Sequence, residues 1–295
     1  MRILASDGME KNAVAALRAQ GHEVVEQFYE PAELAEQVKN FDVLVVRSAT
    51  KVRVPIIDAA CETGKLKLII RGGVGIDNID HKYAEEKGIK VISFNGILTS
   101  AAILTHNATD NYAAGEMAGE ALAQAMGGKG KYVVLGAAEG VQNNRDRSEG
   151  CIAYITENYP DMELIASDYM DNDMSVATSM INDWITANPD LGGIFTNNET
   201  GTLAAATVFQ ERDKGGQTAH VGFDATVQTV AQITDGITDS IISQQPFKMG
   251  YLSVENCVAL LNGEEVPEPI DTGALLVTTE NADSEEVNAI ITPGS

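Results

Sequence analysis

Apolar positions along the chain follow two periods in turn. Short apolar runs that fit a strand give way to segments in which apolar residues return every three to four positions, the spacing of an amphipathic helix. In the first hundred residues this predicts strands Arg2–Ala5, His22–Phe28, Phe41–Arg47, Leu66–Arg71 and Ile89–Phe94. Between them it predicts helices Glu10–Gln20, Ala32–Lys39, Pro55–Glu62 and His81–Lys87. Gly21, Gly64 and Gly88 stop three of these helices, and Pro31 and Pro55 stand where two begin, the asymmetry expected of helix ends. Strands apolar on both faces and separated by helices mean a parallel sheet covered on each side.

The stretch Gly88–Asn111 joins this region to the next. It holds a strand closing on the polar Asn95, then a second apolar-to-polar run, Ile103–Asn111, that leads into a helix. Beyond it the alternation resumes with helices Ala113–Met126, Arg145–Asn158, Met174–Ala187, Thr200–Asp213 and Val227–Thr234. The strands between and after them are Lys131–Gly136, Met162–Asp168, Leu191–Asn197, His220–Phe223 and Ser240–Gln244. The fold class expected is therefore α/β, with two doubly wound parallel-sheet lobes, the first flavodoxin-like. A chain of 295 residues suits two cores of ordinary size.

Charge narrows the range of ligands. The formal net charge of −23 argues against nucleic acid and anionic membrane surfaces, which both require cationic partners. A neutral or cationic small molecule bound by a monomer fits better. Residues 1–100 hold 13 Lys and Arg against 14 Asp and Glu, whereas the remainder holds 7 against 29. Cys61, Cys151 and Cys257 are far apart and lack metal-ligand or CxxC spacing, so buried thiols are expected rather than a disulfide or metal site. No apolar run is long enough to span a bilayer, and Met1 leads straight into a strand with no signal peptide, so the chain is expected to stay where it is made, in the cytoplasm.

In doubly wound sheets ligands gather at the carboxyl ends of the strands. In the second lobe those ends carry Ala137 and Ala138 with Arg145 opening the next helix, then Asp168, Asn197–Glu199, Phe223 with Asp224, and Gln244. A guanidinium, amides and a carboxylate on one edge suit a neutral polyhydroxylated molecule such as a sugar. The same residue types also end strands and cap helices for purely structural reasons. In the first lobe, Arg47 and Ser48 follow one strand, and Arg71–Asp80, with Gly73, Val74 and Asn78, follows another, where backbone amides could hold an anion. Tight turns explain those glycines equally well. The run Gly136–Gly140 lacks GxGxxG, so no cofactor is expected.

The stretches VVRSATKVRVPIIDAA and LKLIIRGGVGIDNIDHKYAEEKGIKV closely resemble the substrate-side domain of D-3-phosphoglycerate and other D-2-hydroxyacid dehydrogenases, over residues 1–92. That resemblance places Arg47, Ser48, Gly73, Val74 and Asn78 at an acid-binding site. The Rossmann domain and catalytic residues of that family do not follow, and His22, His81, His106 and His220 all lie outside its catalytic context. From about Phe94 to the late 270s, THNATDNYAAGEMAGEAL, NNRDRSEG, FTNNETG, VGFD and ISQQP resemble the ribose-type (type I) periplasmic sugar-binding proteins of ABC transporters. This second resemblance implies sugar contacts at Arg145, Asn198, Asp224 and Gln244, a wall at Phe223, Thr109 near a hinge, and Asn95 facing the same cleft. It also implies a periplasmic location and three crossings between lobes. The lobes would then be 1–103 plus 245–270 and 104–244 plus 271–295.

Where such a binding protein needs lobe-one ligand contacts, the chain has Ser6–Met9 and no aromatic residue nearby. The leading expectation is an engineered or recombined chimera, de novo in its pairing of lobes, that carries half a sugar site with weak or no binding. The alternative is a functional sugar-binding protein of an ABC transporter. A hydroxyacid dehydrogenase remnant is the third reading, and no enzymatic activity is expected.

Overall fold

The computed structural model describes residues 1–9, 11–73, 75–95, 103–266 and 270–292. In chain order the strands and helices begin with β1 (Arg2–Ala5), α1 (Lys11–Ala19), β2 (Glu23–Glu26), α2 (Pro31–Gln37), β3 (Val43–Val46) and α3 (Val54–Thr63). They continue with β4 (Leu68–Gly72), α4 (His81–Glu86), β5 (Lys90–Phe94), β6 (Ile103–Ala108), α5 (Asn111–Ala125) and β7 (Gly130–Gly136). Next come α6 (Gln142–Asn158), β8 (Met162–Tyr169), α7 (Met174–Ala187), β9 (Leu191–Thr196), α8 (Glu199–Glu211) and β10 (Ala219–Phe223). Last are α9 (Val227–Thr234), β11 (Ser240–Gln244), α10 (Pro246–Leu261), β12 (Ile270–Asp271), β13 (Ala274–Val277) and α11 (Glu285–Ile291). Two compact units result, Met1–Ala108 with Pro246–Thr272, and Thr109–Gln245 with Gly273–Ser295, and the chain passes between them three times.

The first unit is built on a parallel sheet in the order β12-β6-β5-β4-β3-β1-β2. Its strands are apolar on both faces because both are covered. Along β3, Leu44 and Val46 join a core with Leu34, Phe41 and Ile57 on one side, while Val43 and Val45 join Val14, Leu17 and Ile92 on the other. Gly72 lies opposite Phe94 in the β4–β5 register, and a Cβ there would overlap the Phe94 ring. The returning helix α10 is pinned to β6 by a buried polar cluster, with Asn107 Nδ2 donating to Ser253 Oγ at 2.9 Å and Asn256 Nδ2 donating to Asn107 Oδ1 at 3.2 Å. Between α1 and α10 a small apolar cavity of about 20 Å³ is lined by Ile3, Met9, Leu17, Val45 and Val258, among others.

The second unit has the order β13-β11-β10-β9-β7-β8, parallel except for the antiparallel β13. Helices α5 and α6 pack backbone to backbone on one face. A Cβ on Gly119 would sit 2.7 Å from the Cys151 carbonyl, and Gly115 and Gly150 meet the backbone of Arg147 and Tyr112 more closely still. Helix α6 starts at Gln142, three residues before the expected Arg145. Asn143 and Asn144, unfavourable inside a helix on propensity alone, are buried here, and Asn144 Nδ2 donates to the Ala138 carbonyl at 3.4 Å.

His220 on β10 is fully buried, and each ring nitrogen pairs with a threonine hydroxyl, Nε2 with Thr196 at 3.0 Å and Nδ1 with Thr238 at 2.9 Å. Burial pushes its pKa down to about 3. Between that value and the ordinary pKa near 6.5, the unfolded chain binds a proton that the folded chain refuses, so stability falls as pH falls through this window. Urea unfolding at pH 7 and pH 4.5 should therefore show a loss on the order of 2 kcal/mol that His220→Gln lacks. Equal pH sensitivity in both proteins would contradict this.

Candidate functional site

Arg147 organises the carboxyl edge of the second sheet. It sits in the second turn of α6, is 5% exposed, and has no carboxylate within ion-pair distance among the described residues. Oriented dipoles and an aromatic face hold its charge instead. Nε donates to Asn111 Oδ1 at 2.8 Å, Nη1 donates to the Asn197 carbonyl at 3.0 Å, and the guanidinium lies 3.9 Å from the centre of the Phe223 ring. Burial lowers its pKa, opposed by the fields of Asp224 and Asp146. Asn197 is itself fixed: Oδ1 accepts from Ala137 N at 2.8 Å, and Nδ2 donates to the Asn144 carbonyl at 2.8 Å and Ser148 Oγ at 3.0 Å. The protein contacts described use Nε and one Nη1 hydrogen of Arg147, which leaves Nη2 for a ligand.

Asp224 follows Phe223 in a left-handed conformation, φ 69°. Its Oδ1 accepts from Gln244 Nε2 at 2.6 Å, and Gln244 Oε1 is enclosed with no donor among the described residues. Asn198 caps α8, with Oδ1 accepting from Gly201 N at 3.0 Å. The N-termini of α6, α8 and α9 open just past β7, β9 and β10, adding a positive dipole field to this edge.

The structure thus gathers Asn198, Phe223, Asp224 and Gln244 at the ends of β9, β10 and β11. Phe223 is fully buried and carries the Arg147 guanidinium on its ring, so any effect on a ligand passes through that cation. Arg145, two residues from Arg147 and on another face of the helix, turns to the Glu139 carbonyl and to Gln142 Oε1. Thr109 is buried and donates to the Gly273 carbonyl at 3.5 Å. Two residues escaped the sequence reading. Arg147 could have been found from helical spacing, since it shares a face with the core residue Cys151 four positions on. Tyr169 extends β8 one residue beyond its expected end and lays its half-buried ring over Gly136, supplying the aromatic surface of this edge.

In the first unit the corresponding edge pairs two arginines, Arg47 and Arg71, with the carboxylates of Asp7 and Asp77. Arg71 is buried, and burial lowers its pKa; the Asp7 carboxylate opposes this effect and Arg47 adds to it. Arg71 Nε donates to Asn78 Oδ1 at 3.0 Å, and Asn78 Nδ2 donates to the Arg47 and Thr50 carbonyls, each at 2.7 Å. Asn78 therefore staples two loops. The Arg47 amide donates to Asp7 Oδ2 at 2.6 Å, which leaves the Arg47 and Ser48 side chains exposed. Gly73 takes φ 115°, and a Cβ there would lie 2.5 Å from Arg71 Nη1. Asn95, φ 67°, ends β5 with its amide donating to the Asn107 carbonyl at 3.1 Å. Val74 lies outside the described residues.

The profile of the periplasmic binding protein domain family matches residues 73–265, and the chain belongs to that family. The ribose import binding protein RbsB of Escherichia coli is 29% identical over 192 residues, which cover 64% of each chain. The chain thus spans slightly under two thirds of that relative's length. The D-3-phosphoglycerate dehydrogenase of Methanocaldococcus jannaschii is 44% identical over 93 residues, 32% of this chain and 17% of that enzyme. Among solved structures, a carbohydrate transporter solute binding protein from Agrobacterium radiobacter, in complex with D-arabinose, superposes with a TM-score of 0.75 at 23% identity, covering 98% of this chain and 97% of that one. Both sequence resemblances and the two-lobed parallel-sheet architecture therefore stand.

Proposed function

We propose that the chain is a sugar-binding protein of the periplasmic, ABC-transporter type, with a binding edge formed by Arg147, Asp224, Asn198, Gln244 and Tyr169. The observation that carries this reading is the buried Arg147, fixed by Asn111, Asn197 and Phe223 with Nη2 left over. Forked donors beside the Asp224 carboxylate match the vicinal hydroxyls of a furanose or pyranose. The similarity to a ribose-import protein and to a structure holding D-arabinose supports a pentose as ligand. Binding rather than catalysis is the activity, because the matched family is one of binding domains. Thr109 has a secondary role in this reading. Arg47, Ser48, Gly73 and Asn78 lie at the carboxyl edge of the first unit, where the exposed Arg47 side chain could meet an anion.

Calorimetric titration with D-ribose, D-arabinose and D-xylose tests the assignment. Arg147→Met is expected to weaken binding at least about a hundredfold, because it removes charged donors from a buried site. Arg145→Ala should stay within about threefold, as expected of a surface contact. The reverse ranking, or no binding of any pentose by the intact chain at millimolar concentration, would overturn the proposal.

A second reading, recombination of two ancestries, is favoured by the dehydrogenase match extending over only 93 residues, 32% of the chain, and by the change in charge balance near residue 100. In that reading α10 packs against a sheet with which it did not evolve, and the cavity beside Val258 is an unfilled seam. Val258→Ile, adding one methylene, should then stabilise the fold by roughly 0.5–1 kcal/mol in urea unfolding. A loss of stability would mean that this face is already filled and would count against the seam.

A further inference from the structure

From the loop after β8 we infer that Asn172 is a positioning residue for the sugar edge: it is held in a disfavoured backbone conformation so that its side chain orients Asn198. The inference rests on the sugar-binding reading of that edge. Asp171 and Asn172 both adopt left-handed conformations, φ 52° and 58°. Two successive residues of this kind without glycine are rare, and they persist only where surrounding contacts fix them.

The loop supplies those contacts. Met170 is fully buried, and its amide donates to the Gly136 carbonyl at 2.9 Å. Asn172 N donates to the Ala137 carbonyl at 3.0 Å, and Asp173 N donates to the Met170 carbonyl at 2.9 Å. Asp173 then caps α7, accepting from Ser175 N at 2.8 Å and Val176 N at 3.2 Å. The backbone of Asn172 is therefore pinned to the end of β7, the strand that precedes the helix bearing Arg147.

The pinned side chain meets the binding edge. Asn172 Oδ1 accepts from Asn198 Nδ2 at 3.2 Å, while Asn198 Oδ1 accepts from Gly201 N at 3.0 Å. Held at both ends, the Asn198 amide cannot exchange its nitrogen and oxygen without losing both bonds. One N–H remains, with a defined direction, for a ligand oxygen. Glycine would adopt the Asn172 backbone conformation at lower cost, so what asparagine adds here is its side-chain amide.

Asn172→Gly and Asn172→Asp separate this role from a merely structural one. Glycine should leave the melting temperature unchanged or raised while weakening pentose binding roughly two- to tenfold, the effect of one oriented hydrogen bond. Aspartate keeps the acceptor and should bind within about twofold of the parent chain. Asn198→Ala should weaken binding at least as much as Asn172→Gly. If Asn198→Ala weakens binding and Asn172→Gly does not, the positioning role is overturned and the sugar site survives. The side-chain amide resonances of Asn198, read without ligand, keep the inference testable if no pentose binds. They should shift toward solvent-exposed values in Asn172→Gly and hold in Asn172→Asp, and unchanged resonances in Asn172→Gly would overturn the inference whatever the ligand.

Discussion

A guanidinium taken out of water must keep its charge solvated by other means. Arg147 does so through an amide oxygen, a backbone carbonyl and an aromatic face rather than through a carboxylate. Much of the second unit serves that arrangement. Glycines 115, 119 and 150 let α5 and α6 approach closely, so that Asn111 at the start of α5 reaches Arg147 on α6. Asn197, fully buried and bonded to β7 and α6, presents its carbonyl to Nη1. Phe223 ends β10 beneath the cation, and Asp224 follows it. A carboxylate partner would have offset the charge and taken up donors, whereas dipoles leave the positive charge uncompensated.

The first unit meets the same demand at its own carboxyl edge in a different way. Asp7 accepts from the backbone of Arg47 and from Thr50 N at 3.0 Å, and Asn78 ties the same loop to β4. Arg71 then lies buried against Asn78, and the exposed cation at that edge is Arg47. The glycines after β4 mark a loop folded closely around Arg71.

The architecture was legible in the sequence because both sheets, apart from β13, are parallel and are covered on both faces. Runs such as Val43–Val46 are uniformly apolar, and the helices between them carry proline and glycine at their ends. Two further strands extend the first sheet to seven: β6 in the joining stretch, and β12, two residues long. The site was less legible. Arg145 and Arg147 differ by two positions, which on a helix means different faces, and only the i, i+4 spacing of Arg147 to Cys151 marks which of the two turns inward. Tyr169 was lost to an error of one residue at the end of a strand, where side chains alternate between faces. The left-handed residues at 171 and 172 are Asp and Asn, types that tolerate this conformation, but the contacts that hold them come from the end of β7, far away in sequence.

The most direct measurement is a crystal structure of the intact chain grown with D-ribose or D-arabinose. Sugar density is expected against Arg147 Nη2, the free carboxylate oxygen of Asp224 and Asn198 Nδ2, with the Arg147–Phe223 stack unchanged. Sugar bound away from Arg147, or Arg147 turned out toward solvent while a sugar occupies the edge, would contradict the central role assigned to this buried cation.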